Sequence, residues 1–181
     1  MTETAPTQAG ARRLFFALWP DATTRDALNR TGLWLHRHWG GRRMRADTLH
    51  LTLSFLGDVP AAQLDVLLHD IQAIAIKRFE LSFDRPGYWP HNHIGWLGLS
   101  QPSAPLEALV LALRDQLREL TIPFDNRPHT PHVTLLRKSV GGAAVTCLPV
   151  NWSVDEFVLV ASDPQADGAH YAVLKRWPLA G

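Results

Sequence analysis

The chain has 181 residues, of which 46% are hydrophobic and 19% charged, so it can bury a core and does not resemble a disordered chain. Lys and Arg together number 18 and Asp and Glu 17, and the resulting formal charge of +1 excludes a strong overall field for nucleic acid or membranes. The single cysteine, Cys147, excludes an intrachain disulfide and a cysteine-based zinc site. Apolar runs fall short of the roughly 18 residues of a membrane span. The apolar run after Arg12-Arg13 lacks the features of a signal peptide, so we expect a cytoplasmic protein.

The predicted elements indicate the α+β class. We predict a disordered tail over residues 1–11 and a single domain over 12–181. Hydrophobic periodicity predicts helices over 21–39, 61–77 and 104–120, and strands over 13–19, 49–56, 79–84, 94–99, 133–136, 155–160 and 171–175. The segment 85–93 is expected to be a loop. Because several strands follow one another without a crossover helix, we expect mostly antiparallel sheets.

The sequence contains two matching tetrads, one in each half of the chain. His50-Leu51-Thr52-Leu53 and His132-Val133-Thr134-Leu135 lie 82 residues apart, and each follows a predicted helix. A lone His-x-Thr on a strand is more often a structural histidine than a functional one. The repeat in matched context favours the functional interpretation and predicts two halves related by a pseudo-two-fold axis.

Strand geometry places the polar residues of each tetrad together. Side chains alternate between the faces of a strand, so His50, Thr52 and Ser54 are expected on one face, with Leu53 and Phe55 on the other. By the same rule His132 and Thr134 share a face. The two halves then present two imidazoles and two hydroxyls to one cleft.

This set of groups suits displacement at the phosphorus of a phosphodiester. One imidazole can take a proton from the attacking oxygen while the other protonates the leaving oxygen, and both have ordinary pKa values near 6.5. Threonine hydroxyls can donate to the non-bridging phosphate oxygens. The chemistry requires no metal ion.

The sequence around the tetrads resembles the two-histidine phosphoesterase superfamily, in particular its bacterial RNA 2′,3′-cyclic phosphodiesterase branch, also called LigT-like or 2′-5′ RNA ligase proteins. The matching segments are RLFFALWP (13–20), LHLTLSFLG (49–57) and RPHTPHVTLLR (127–137). The resemblance implies a bilobal α+β fold in which each lobe has a curved antiparallel sheet and outer helices, with the active site in the cleft between them. It implies hydrolysis of RNA 2′,3′-cyclic phosphate ends to a 2′-phosphate, together with a reversible 2′-5′ ligation of RNA ends.

The resemblance also assigns roles to residues of this chain. It implies that His50 is the general acid toward the 3′ oxygen and that His132 is the base for water. Thr52 and Thr134 become phosphate ligands, and Arg137 becomes a phosphate or nucleotide contact.

Four further residues are candidate substrate contacts. Phe15 can face the cleft and stack on a base, or it can belong to the core. Arg45, in a basic cluster with Arg42 and Arg43, can grip an RNA backbone or lie in a solvated loop. Ser54 follows from strand alternation, and His129, three residues before His132, can support the site.

We expect no cofactor and no metal ion, and we expect a monomer. The pairs His91-x-His93 and His36-x-His38 have ligand-like spacing but lack a third ligand nearby. The expected partners are RNA 3′ ends or short oligonucleotides with a 2′,3′-cyclic phosphate. Two alternatives stay open: a phosphodiesterase for small cyclic nucleotides or nucleotide-metabolite cyclic phosphates, and a non-catalytic module that binds RNA ends.

Overall fold

The computed structural model of the protein describes residues 10–165 and 168–181. The predicted tail therefore lies outside the described residues except for Gly10 and Ala11. In chain order the elements are β1 (Arg12–Leu18), α1 (Ala22–Trp39), β2 (Arg42–Arg43), a short 3-10 helix (Ala46–Thr48), β3 (Leu51–Val59), α2 (Ala61–Asp70), β4 (Phe79–Phe83), β5 (Arg85–Trp89), β6 (Ile94–Gly98), α3 (Ala104–Glu119), β7 (His132–Arg137), β8 (Val150–Val154), β9 (Glu156–Gln165) and β10 (Gly168–Pro178).

One antiparallel sheet carries most of the strands. Its order is β10-β9-β1-β3-β7-β6-β5, with β2 paired to β7, and β4 and β8 form a separate two-stranded sheet. The α+β class with antiparallel sheets is confirmed. The large sheet consists of a first strand group (β10, β9, β1 and β3) and a second strand group (β7, β6, β5 and β2). The strand register between β3 and β7 pairs Leu51 with Val133, and this pair joins the two groups.

From Leu14 to Leu18, strand β1 is apolar on both faces because each face is covered by an apolar cluster. Leu14, Phe16 and Leu18 are completely buried in the main core. Phe15 and Ala17 lie on the opposite face, in a smaller apolar cluster formed with β9. A strand that is covered on both faces has a continuous apolar sequence, as here.

The ends of helices α1 and α3 agree with the predicted ranges. The Asp21 side chain accepts a hydrogen bond from the backbone N–H of Thr24 at 2.7 Å, which caps the start of α1. Gly40, with φ of 60°, ends the same helix. In α3 the leucines at helical spacing are buried against the sheet, as expected: Leu106, Leu109, Leu113 and Leu117.

Helix α2 ends at Asp70, so its predicted extension to residue 77 is wrong. Lys175 Nζ and Trp177 Nε1, both from β10, donate hydrogen bonds to the carbonyl oxygens of Leu68 and Ile71. These long-range bonds compete with the carbonyl groups' intrahelical partners. The segment that follows leaves the helical conformation, yet Ile71 stays buried.

The predicted loop over 85–93 is wrong in its first part, because residues Arg85–Trp89 form the edge strand β5. Pro86 argues against a strand in sequence, but an edge strand tolerates a residue without an N–H donor. Gly87 is needed at its position because a Cβ there would come within 2.0 Å of the Trp96 ring. Strand β8, which pairs with β4, was not predicted.

Among the described residues, the structure contains no helix that is long and apolar enough to cross a membrane.

Candidate active site

The two tetrads meet where the two strand groups join. Leu51 of β3 pairs with Val133 of β7 in antiparallel register. One residue further in each direction, this register places His50 opposite Thr134 and Thr52 opposite His132. All four side chains line one cavity of about 910 Å³. The structure thus brings together the four residues on which the sequence interpretation depended.

Each histidine is oriented by the same local hydrogen bond. His50 Nδ1 donates to the carbonyl oxygen of Thr48 at 2.7 Å, and His132 Nδ1 donates to that of Thr130, also at 2.7 Å. In both cases the partner lies two residues earlier in the chain. A proton held on Nδ1 leaves Nε2 as the nitrogen that can accept or deliver a proton in the cavity.

His50 is enclosed by aromatic rings. The Trp19 indole stacks on its imidazole at 5.4 Å between centroids with an angle of 6°. Phe15 and Tyr171 lie at 4.9 and 5.2 Å. Burial lowers the pKa of His50 to about 4, with smaller contributions from the charges of His132 and Arg137, while its hydrogen bond to Thr48 acts in the opposite direction.

The surroundings of His132 differ from those of His50. The Trp89 ring lies edge-on to its imidazole, 4.6 Å between centroids, and leaves it half-buried. Burial lowers the pKa of His132 as well, against the raising effect of the Thr130 carbonyl. Both imidazoles are therefore neutral at pH 7 in the absence of substrate.

A bulge in β3 overturns the expected placement of Ser54 and Phe55. The register skips one residue, since Ala17 pairs with Thr52 and Phe16 pairs with Ser54. Such a bulge breaks the alternation of faces. Ser54 therefore lies on the core side with Phe16, and it is only 2% exposed. It still borders the cavity, because it lies in the strand that carries Thr52. The prediction that it shares a face with His50 is wrong, and Phe55 takes the site side instead.

A second bulge, in β7, places Arg137 at the site. Trp96 pairs with Thr134 and Gly95 pairs with Leu136, so one residue is skipped here too. Arg137 then falls on the same side as Thr134, although strict alternation places it opposite. It is exposed and lines the cavity, and its charge contributes to the lowered pKa of His50. Its position agrees with the phosphate or nucleotide contact that the resemblance implies.

The remaining candidate residues, His129, Phe15 and Arg45, have different surroundings. His129 Nε2 donates to the carbonyl oxygen of Thr52 at 2.8 Å and so connects the second tetrad's loop to the first tetrad's strand. Burial lowers the pKa of His129. Phe15 lies on the site side, but it is 4% exposed and packs against His50, which leaves little ring surface for a base. Arg45 pairs with Asp47 at 3.0 Å and is not among the described residues that line the cavity.

Sequence reasoning missed the aromatic enclosure of His50. Trp19 follows β1 and Tyr171 lies on β10, and nothing in either local sequence points to a histidine far away in the chain. Trp89, in contrast, stands in an unusual Pro/Gly segment that signals a special position. Arg13 also lines the cavity and was not predicted as a contact.

The described residues contain no group of three or more His, Cys, Asp or Glu side chains placed to hold a metal ion. His93 Nδ1 instead lies 3.0 Å from the hydroxyl of Tyr88, and the His91-x-His93 pair remains without a third ligand in that region.

Comparison with known proteins gives a consistent result along nearly the whole chain. The family model described as the 2′-5′ RNA ligase superfamily matches residues 19–166. The RNA 2′,3′-cyclic phosphodiesterase of Escherichia coli strain K12 is 37% identical over 173 residues, which cover 93% of this chain and 97% of that protein. The crystal structure of E. coli LigT in apo form superposes with a TM-score of 0.79 at 36% identity, covering 96% of this chain and 100% of the other. That of E. coli LigT complexed with 3′-AMP gives 0.78 at 36% identity, covering 94% of this chain and 99% of the other.

Proposed function

This chain belongs to the 2′-5′ RNA ligase superfamily, and on that premise we propose that it hydrolyses RNA 2′,3′-cyclic phosphate ends to 2′-phosphates by two-histidine acid–base catalysis without a metal ion. One observation carries the proposal. Two imidazoles from different strand groups, each with Nδ1 bound to a backbone carbonyl, share a cavity with a threonine beside each.

The reaction assigns one histidine to each of the two oxygens that change partners. His132 Nε2, neutral, accepts a proton from the attacking water, whose oxygen forms the new bond to phosphorus. The bond from phosphorus to the 3′ oxygen breaks, and His50 Nε2–H donates its proton to that oxygen. The products are a 2′-phosphate and a free 3′-hydroxyl, and the two histidines end with exchanged protonation states.

The phosphate itself is held by neutral and charged donors. The hydroxyls of Thr52 and Thr134 lie beside the histidines and can each donate to a non-bridging oxygen. Arg137 adds a full positive charge where negative charge increases in the transition state. These donors provide the stabilisation for which other phosphodiesterases use a metal ion.

Binding of the substrate favours the protonated form of His50. In the free protein His50 has a pKa of about 4, because its imidazole is enclosed by aromatic rings. The phosphodiester group brings one negative charge next to that imidazole, and a neighbouring opposite charge favours the protonated form. The acid is therefore charged mainly when substrate is bound.

The size of the cavity favours an RNA end over a small cyclic nucleotide as the substrate. About 910 Å³ lies near the upper end of ordinary ligand pockets, which span about 300–1,000 Å³. Four arginines and one aspartate line it, namely Arg13, Arg114, Arg127, Arg137 and Asp125. This local excess of positive charge suits a polyanion even though the whole chain is nearly neutral.

Product analysis tests the proposal. A short RNA with a 2′,3′-cyclic end and adenosine 2′,3′-cyclic phosphate are each incubated with the protein in excess EDTA, and the products are separated by chromatography. We expect 2′-phosphates from both and loss of turnover in His50→Ala and His132→Ala. Exclusive 3′-phosphate products, or activity that needs added metal, would contradict the proposal, and tight RNA binding without turnover would identify a binding module. Ligation is tested in the same samples by adding an RNA with a 5′-hydroxyl.

A further inference from the structure

A row of polar side chains crosses three strands at the outer end of the cavity. Arg13 on β1 pairs with Ser162 on β9, and Ser162 pairs with Tyr171 on β10. Residues that pair directly across neighbouring strands lie on the same face of the sheet. All three line the cavity that contains the two histidines.

Arg13 has a charge that no carboxylate neutralises within the described part of the chain. Asp58 lies opposite Arg13 in the register of β1 and β3, but no ion pair within 4.0 Å joins them. The guanidinium group lies over the Phe55 ring instead, 4.9 Å from its centroid. In contrast, the cavity residue Arg127 donates hydrogen bonds to both carboxylate oxygens of Asp125.

Tyr171 lies between His50 and Arg13 on the site side of the sheet. Burial raises the pKa of Tyr171, and the charges of Arg137 and Arg13 both act against this rise. The charge of Arg137 also contributes to the lowered pKa of His50. The Tyr171 ring contacts the imidazole of His50 at 5.2 Å between centroids. Along β1, Phe15 follows Arg13 on the site side, and its ring contacts both His50 and Tyr171, at 4.9 and 5.3 Å between centroids. The order along the first strand group is therefore His50, then Phe15 and Tyr171, then Arg13.

We propose that Arg13, Ser162 and Tyr171 form a subsite for the 5′-phosphate group of the nucleotide that carries the cyclic phosphate. The inference rests on the proposed function, which makes His50 the proton donor to the 3′ oxygen and so places the ribose on the His50 side of the scissile phosphorus. The 5′ carbon of that ribose leads away from the reacting group. Along the first strand group this direction runs past Tyr171 toward Arg13.

The donors of the row match a phosphate group. A guanidinium group presents its N–H donors in a fork that fits two phosphate oxygens, and hydroxyls of serine and tyrosine add single donors. Phe15, between the row and His50, offers no polar atom. The cleft thus has two separate anion-binding places, one at the tetrads and one at the row. A nucleoside 2′,3′-cyclic phosphate with a 5′-hydroxyl fills only the first, and an RNA end fills both.

The test compares two product analogues that differ only in the 5′-phosphate. Dissociation constants are measured by titration calorimetry for adenosine 2′-phosphate and adenosine 2′,5′-bisphosphate, with the wild-type protein, Arg13→Gln and Arg12→Gln. Arg12 is the matched control, since it is the neighbouring exposed arginine of β1 and does not line the cavity of the site. We expect about tenfold tighter binding of the bisphosphate by the wild type and by Arg12→Gln, as for one charge-assisted contact. In Arg13→Gln we expect this ratio to fall to within about twofold.

Kinetics with RNA completes the test. The ratio of kcat/KM for the dinucleotide ApA with a 2′,3′-cyclic end to that for adenosine 2′,3′-cyclic phosphate is expected to fall about tenfold in Arg13→Gln. A methylphosphonate in place of the internal phosphate should lower kcat/KM in the wild type and cause little further loss in Arg13→Gln. Equal binding of both analogues by the wild type, an unchanged ratio in Arg13→Gln, or the same loss in Arg12→Gln overturns the subsite. If the proposed function fails but the subsite exists, the wild type would still bind the bisphosphate more tightly than the monophosphate, yet it would hydrolyse neither substrate.

Discussion

Binding of a phosphodiester is expected to raise the pKa of His50 from about 4 to near 7. In the free protein the aromatic enclosure by Trp19, Phe15 and Tyr171 keeps the imidazole away from water and lowers its pKa to about 4. A hydrogen-bonded phosphodiester places a unit negative charge about 4 Å from the imidazolium, an attraction of about 4 kcal/mol at an effective dielectric constant near 20. Because about 1.4 kcal/mol corresponds to a tenfold change in the protonation equilibrium, this attraction is enough to offset the whole lowering of the His50 pKa.

The assay is a histidine NMR titration. Protein labelled with ¹⁵N in histidine is titrated from pH 3.5 to 8.5, alone and saturated with 2′-deoxyadenosine 3′-(methyl phosphate), a phosphodiester monoanion without a 2′-hydroxyl. The His50 signals are assigned with His50→Ala. The same spectra report the tautomer, and we expect Nδ1 to carry the proton of both neutral site histidines because of their carbonyl partners.

Two results would refute the reasoning. A His50 pKa at or above 6.5 in the free protein would mean that the aromatic enclosure does not desolvate the ring. A His50 pKa that stays near 4 when the phosphodiester is bound would mean that the anion does not lie beside this histidine.

Four further predictions concern the reaction and its support. Activity requires protonated His50 and neutral His132, so it is lost as pH rises through the pKa of His50 and as pH falls through the pKa of His132. Both pKa values are lowered in the free protein, so the optimum of kcat/KM is expected below pH 6.5. A pH–rate profile checks this. Thr52→Val and Thr134→Val should each lower kcat/KM by about 10² with unchanged circular dichroism, whereas unchanged kinetics would make these threonines simple strand formers. His50→Ala and His132→Ala should each cost about 10² to 10⁴ in rate, and a substrate with an activated leaving group should rescue His50→Ala alone; rescue of the other variant would exchange the two roles. His129→Phe removes the donor to the Thr52 carbonyl and should lower the free energy of unfolding by about 1 kcal/mol in urea titrations, with a parallel loss of kcat; a stability equal to the wild type would exclude this contact.

Local sequence predicted that the two tetrads share one cavity, because strand alternation and the repeat of the tetrad are both local signals. His50, Thr52, His132 and Thr134 converge as the spacing predicts. The same rule failed two residues later at Ser54, since a bulge depends on the pairing of β3 with β1 and leaves no reliable trace in a single strand.

Long-range partners explain the other differences between prediction and structure. The end of α2 is decided by hydrogen bonds from Lys175 and Trp177, about a hundred residues away in the chain. The lowered pKa of His50 depends on Trp19 and Tyr171, which lie on other elements. Periodicity within a window of residues carries no information about such contacts, so the electrostatic character of the site had to come from the structure.

The position of β1 in the sheet has a consequence for synthesis of the protein. β1 is paired on one side with β3 and on the other with β9, which is made about a hundred residues after β3. At about 5–20 residues per second, a ribosome needs roughly 5–20 s for that interval. During this time the apolar run from Leu14 to Leu18 has one open hydrogen-bonding edge in the nascent chain. Such an edge can pair with other chains, so the growing polypeptide has most need of chaperone protection before β9 emerges.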